Sequence, residues 1–158
     1  MNNTKKNFNS AQLIKKARNY CVYRERCHRE VLCKLLEWGA SPELSEEGLS
    51  DLITSRYVNE ERYAQIYANS KFRKKKRGKV QIKLGLPKRN IRAYCISKGM
   101  EEIEEDDYLK TLQFLVERKN EEYISEDQAF PNKKIARYCV HKGFESNRVW
   151  DEIKRILS

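Results

Sequence analysis

The chain has 158 residues, and its 33 Lys and Arg against 23 Asp and Glu leave a formal charge of +10, a balance that favours polyanions such as nucleic acid or a nucleoprotein surface. That length holds one core or several small ones. No apolar run approaches the roughly 18 residues of a membrane span, and the opening MNNTKKNFNS is polar, so the reading is a cytoplasmic protein with neither anchor nor signal peptide.

In chain order, Ser10 is read as the N-cap of a first helix whose Leu13 and Ala17 share a face. A second helix follows, with Val31 and Leu35 on one face and Gly39 past its end. Ser41-Pro42 then opens a third, as a cap followed by proline at the first helical position. The pattern recurs twice. EVLCKLLEWGA, VQIKLGLPKRNI and KKIARYCVHKGF superimpose without gaps when Gly39, Asn90 and Gly143 are matched. Val31, Ile82 and Ile135 then coincide, as do Leu35, Leu86 and Cys139, and Ala40, Ile91 and Phe144 follow the match point. Gly and Asn are the residues that tolerate the left-handed conformation after a helix.

Upstream of the second copy, Asn59 caps a helix carrying Tyr63 and Tyr67; upstream of the third, Tyr108 and Leu112 hold the matching places. NEEYISEDQAFPN reads as a longer loop inside the third copy, and Val149, Ile153, Ile156 and Leu157 form the stripe of a last helix. Pro87, near Gly85, predicts a bent or short middle helix in the second copy. A rival register would match YCISKGME to YCVHKGFE but strands Ile82 and Leu86 outside the repeat. The fold class is therefore all-α: three tandem three-helix modules at 8–57, 58–103 and 104–158, in an elongated, curved arrangement.

Five cysteines, Cys21, Cys27, Cys33, Cys95 and Cys139, are an odd number for a disulfide framework and fit a reducing compartment. Six residues on a helix turn about 600°, so the evenly spaced first three point to different faces. All five are read as buried or half-buried structural thiols, with no metal bound. His28 and His141 are too scattered for a zinc site or a catalytic triad and are read as surface or boundary residues.

The functional signal is charge. SKFRKKKRGKV packs seven cations into eleven residues, and from Arg62 to Met100 thirteen Lys and Arg occur with no Asp or Glu. Lys74 continues the phase of Tyr63, Tyr67 and Ser70, so the helix tip must emerge into solvent with charge all round. Gly78 then places Lys71, Arg73, Lys74, Lys75, Lys76, Arg77 and Lys79 at one protruding corner. Such clustering attracts phosphates and makes binding salt-dependent. Tyr63, Tyr67 and Phe72 are candidate stacking platforms, although helical spacing assigns Tyr63 and Tyr67 to the core. The carboxylates of EEIEEDDY are read as helix-dipole partners rather than a Mg²⁺ site. Phosphate-loop, H-E-x-x-H and G-x-S-x-G signatures are missing, so no enzyme is expected, and no cofactor.

The ordered set Tyr57, Val58, Asn59, Glu60, Glu61, Arg62, Tyr63 and Ala64, then a basic helix, then Gly78, Ile82, Leu86, Arg89, Asn90 and Ile91 resembles the most characteristic segment of the RecX family of bacterial RecA regulators. Pro87, and Arg89-Asn90 in place of the usual Lys-Gly, depart from it. The resemblance implies tandem three-helix repeats that bind RecA, above all its filament on single-stranded DNA. It implies inhibition of the RecA ATPase and of strand exchange, in DNA repair, recombination and the SOS response. The expected partners are RecA, its filament and nucleic-acid phosphates, met by a monomer without membrane contact. The filament- or nucleic-acid-binding residues would be Arg62, Lys71, Arg73, Lys74, Lys75, Lys76, Arg77, Lys79 and Lys83. The alternative is a free-standing nucleic-acid-binding protein whose modules engage duplex or RNA directly.

Overall fold

The computed structural model describes residues 8–158; most of the polar opening stretch, and the reading against a signal peptide that rests on it, lies outside the described residues. Within them every regular element is helical, and none is long and apolar enough to cross a membrane. Helices α1 (Ser10–Tyr23), α2 (His28–Glu37) and α3 (Pro42–Thr54) pack on one another. So do α4 (Glu60–Arg73), α5 (Lys79–Gly85) and α6 (Ala93–Met100), and then α7 (Glu105–Ser125), α8 (Pro131–His141) and α9 (Ser146–Leu157).

The match point of the repeat is one backbone device used three times. Gly39, Asn90 and Gly143 have φ of +99°, +57° and +104°. Each donates its N–H to the carbonyl three residues back: Gly39 to Leu36 at 3.0 Å, Asn90 to Pro87 at 2.9 Å, Gly143 to Val140 at 2.9 Å. The next residue reaches five back, Ala40 to Leu35, Ile91 to Leu86 and Phe144 to Cys139. These bonds satisfy orphan carbonyls at the helix end and turn the following apolar side chain onto the core. Val31, Leu35, Ile82, Leu86, Ile135 and Cys139 are all buried.

Helix starts follow the sequence with one correction. Asn9 rather than Ser10 caps α1, because its side chain accepts from Gln12 N at 2.8 Å while its own N–H donates to Gln12 Oε1 at 2.9 Å, a reciprocal box that Ser10 is one residue too late to make. Ser41 and Asn59 cap α3 and α4. Pro87 ends α5 early: Leu86 keeps its core place, and a 3-10 turn over Pro87–Arg89 carries the chain to Asn90. The rival register falls, since YCISKGME lies in α6, a third helix, and YCVHKGFE runs from α8, a second helix.

Two further expectations are corrected. NEEYISEDQAFPN is not mainly loop: with no Gly or Pro before Pro131, α7 continues to Ser125, and Tyr123 packs against the core. Only residues 126–130 connect it to α8. Cys33 is exposed while Cys21, Cys27, Cys95 and Cys139 are buried, because Val31 and Leu35 face inward on α2 and the residue midway between them faces out. Burial raises the Cys139 thiol to about 11.

Two cores result. One lies among α1–α3; the other runs unbroken from Ala64 and Phe72 through Tyr108 and Leu112 to Phe144 and Ile153, uniting the second and third triples. The second and third triples are locked where Gly78 meets Gly143. Gly78 N–H donates to Lys142 O at 2.9 Å and Val80 N–H to Gly143 O at 3.0 Å. A Cβ on Gly78 would land on the carbonyl of Gly143. Gly78→Ala should therefore lower the unfolding free energy by about 2–4 kcal/mol. Gly39→Ala, with nothing within 4 Å of the added atom, should cost only the left-handed strain of about 1–2 kcal/mol. Urea unfolding followed by circular dichroism separates the two; equal losses would mean that the backbone contact is not a constraint.

Candidate nucleic-acid interface

The basic corner arises because α4 runs out of core. Tyr63, Ala64, Ala68 and Phe72 form its buried face, and Arg73 is its last helical residue. Lys74 caps the end through its N–H to Ser70 O, Lys76 adopts φ +52°, and the chain then turns into Gly78. Lys71 to Arg77 thus crowd the tip of one helix and the turn leaving it.

Contacts sort the nine candidates. Lys74 and Lys75 on the corner, and Lys83 on the outer face of α5, are exposed and have no carboxylate partner among the described residues. Arg77 and Lys76 are half-buried and also lack one; Lys76 lies 5.6 Å from the Phe114 ring centroid. Lys71 stands 5.5 Å from that of Tyr67. Arg73 is paired with Asp107 and Lys79 with Glu105, each at 3.2 Å. The acidic stretch EEIEEDDY therefore opens α7 as expected and also clamps two of the cations. Glu105 is held below the usual carboxylate range by Arg148 first, then by Lys79.

Arg62 stands apart. It lies in the first turn of α4, about 18 Å of helix from Lys74, and binds Glu25 at 2.5 Å and the carbonyls of Arg56 and Tyr57. Its bonds fasten the first helix triple to the second. The structure thus brings the corner residues together and leaves Arg62 outside them.

One corner residue escaped the sequence reading. Lys142 reaches across to donate to Lys75 O at 2.7 Å. Burial lowers its pKa first, and the charges of Arg77, Lys76 and Lys75 lower it further. No sequence signal links positions 67 residues apart. The aromatic candidates also resolve: Tyr63 and Phe72 are buried, and Tyr67 stacks on Tyr63 with Arg89 4.8 Å from its ring centroid.

From the corner a groove of about 970 Å³ runs between α2 and α4. Lys71 and Lys74 lie on its wall beside Arg24, Arg29, Lys88 and Arg89. Arg29 donates to Lys88 O at 2.6 Å and Arg89 to Gly85 O at 2.8 Å. Neutral carbonyls orient both guanidiniums, neither of which has a carboxylate partner among the described residues, so the lining cations outnumber the lining acids Glu25, Glu30 and Glu37.

A profile of the RecX second three-helix domain matches residues 59–100, which hold α4 to α6. Regulatory protein RecX of Bacillus cereus is 24% identical over 105 residues, 66% of this chain and 39% of that protein. Regulatory protein RecX of Lactobacillus johnsonii is 26% identical over 94 residues, 60% of this chain and 35% of that protein. These matches thus span well under half the length of the curated relatives. The fold is that of a RecX crystal structure from Lactobacillus salivarius, with TM-score 0.82, 21% identity and coverage of 93% of this chain and 96% of that one. A second RecX crystal structure aligns with TM-score 0.77 and 21% identity over 92% of this chain and 73% of its own.

Pairing divides the cations by what their removal does. Replacing Lys74, Lys75 and Arg77 together with Ala should leave stability unchanged to within about 0.5 kcal/mol. Arg62→Ala should cost about 1.5–3 kcal/mol, because Glu25 loses its charged partner. Thermal unfolding at low salt reads both; a three-site variant as unstable as Arg62→Ala would make the corner structural.

Proposed function

The chain belongs to the RecX family, and from that premise we propose that it binds the RecA recombinase, chiefly its filament on single-stranded DNA, and inhibits the filament's ATPase and strand exchange. The observation that carries this is the basic corner: cations without carboxylate partners among the described residues, displayed where the second and third helix triples are locked, on a body with the fold of RecX structures. A filament offers protein carboxylates and DNA phosphates together, and both suit these side chains. Lys71, Lys74, Lys75, Lys76, Arg77 and Lys83 are the proposed contact residues. Arg73 and Lys79, paired with Asp107 and Glu105 of α7, flank that set and fix its edge, and Arg62 acts from behind by fixing the first triple. The protein works as a monomer of three modules, 8–57, 58–103 and 104–158, with no chemistry of its own.

The unpaired corner also favours a second reading, a plain binder of nucleic acid, and inhibition kinetics separate the two. A filament regulator suppresses the DNA-dependent ATPase at concentrations where its binding to naked DNA is weak. Alanine at Lys74, Lys75, Lys76 and Arg77 should weaken that inhibition and flatten the salt dependence of DNA binding, with the helical signal unchanged. Inhibition that excess single strand relieves in proportion to its concentration would replace the regulator with the plain binder.

A further inference from the structure

We propose that Phe114 is a stacking platform for one nucleobase of a single strand whose phosphates lie on the basic corner. The inference rests on the nucleic-acid part of the reading above and names a residue outside the sequence-derived set. Helix α7 buries Tyr108, Leu112, Leu115 and Val116, and Phe114 lies off that stripe, 44% exposed. It is not isolated on the surface. It shares a concavity of about 310 Å³ with Phe72, Arg73, Lys76, Lys110 and Asp107.

The charge around the ring is one-sided. Asp107, the only acid lining the concavity, is taken by Arg73. Lys76 and Arg118 stand 5.6 and 5.9 Å from the ring centroid. Neither they nor Lys110 has a carboxylate partner among the described residues. An exposed aromatic face ringed by uncompensated cations is the arrangement that holds a single strand: the base stacks while its flanking phosphates meet the ammonium and guanidinium groups. A volume at the low end of ligand pockets suits one planar ring. In a duplex each base is already stacked on both sides, so the site selects single strands. Tyr94 also has a lysine nearby, Lys98 at 5.6 Å from its ring centroid, but it lies on α6 next to Arg92 and the Glu60 end of α4, away from the corner.

Fluorescence anisotropy with a labelled oligothymidylate and an abasic strand of equal length tests this. Phe114→Ala and Phe114→Leu should each weaken oligothymidylate binding about fivefold to a hundredfold. The slope of log K against log salt and the binding of the abasic strand should stay as in the parent protein. Phe114→Trp should restore affinity, and Tyr94→Ala should match the parent. Equal weakening on the abasic strand, or no weakening on either, overturns the platform. So does loss of RecA ATPase inhibition with oligothymidylate binding intact, which would assign Phe114 to a protein contact. If the parent protein binds neither strand, the nucleic-acid reading of the corner fails along with it.

Discussion

The start of α5 depends on carbonyls supplied by another helix triple. A helix leaves its first amides and last carbonyls unsatisfied, and α5 has no side-chain cap at Gly78. Its amides are met instead by the turn that ends α8: Gly78 N–H by Lys142 O and Val80 N–H by Gly143 O. Between them Lys79 N–H donates to the Tyr108 hydroxyl at 3.1 Å, which itself donates to Glu145 at 2.6 Å. Burial and the bond to Glu145 hold the Tyr108 phenol protonated well above its usual range. The C-terminal end of one helix thus faces the N-terminal end of another, which also aligns their dipoles favourably. A seven-residue helix would not persist alone. This contact requires both backbones to approach without a Cβ between them.

Much of this was legible in the sequence because the repeat encodes a local device. Gly39, Asn90 and Gly143 mark a turn that L-residues other than Asn rarely adopt, and apolar residues four and eight places before it set the core face. The device is local in sequence, so reading one copy reads all three. The meeting of Gly78 with Gly143 is long-range, and spacing carries no trace of it. The same limit explains Lys142. Phe114 did leave a signal, an aromatic two residues past Leu112 and so off the helical stripe, yet only the bend at Lys76 brings it to the corner. The loop expected around residues 120–132 failed for another reason: Glu, Tyr and Ile continue a helix that no Gly or Pro interrupts before Pro131.

Counting positive charge along the chain identifies where the corner is, and ion pairing decides which of its members remain available. Asp107 and Glu105 open α7 beside the tip of α4, so Arg73 and Lys79 spend their charge within the molecule. Arg62, identical to them in a charge count, is a fastener between triples. What remains is a smaller set, Lys74 to Arg77 with Lys71 and Lys83, whose charges have no internal counterpart among the described residues. The lowered pKa of Lys142 is caused first by burial, and the three neighbouring cations that add to it mark mutual repulsion within that set.

The two joints of the chain differ in kind, and the corner sits on the stiffer one. The second and third triples share a continuous apolar core and paired backbones. The first has its own core and meets the second mainly through polar links, Arg62 with Glu25 and Arg29 with Lys88 O, with Cys27 as the buried residue it adds to the second core. Joints with little buried apolar contact open at lower free energy than fused cores. The groove between α2 and α4 lies along this softer joint, while the corner beside it sits on the stiffer one. The fixed backbone there sets where Lys74 to Arg77 leave the surface, and a polyanion laid across them would remove the repulsion that the fold had to overcome to gather them.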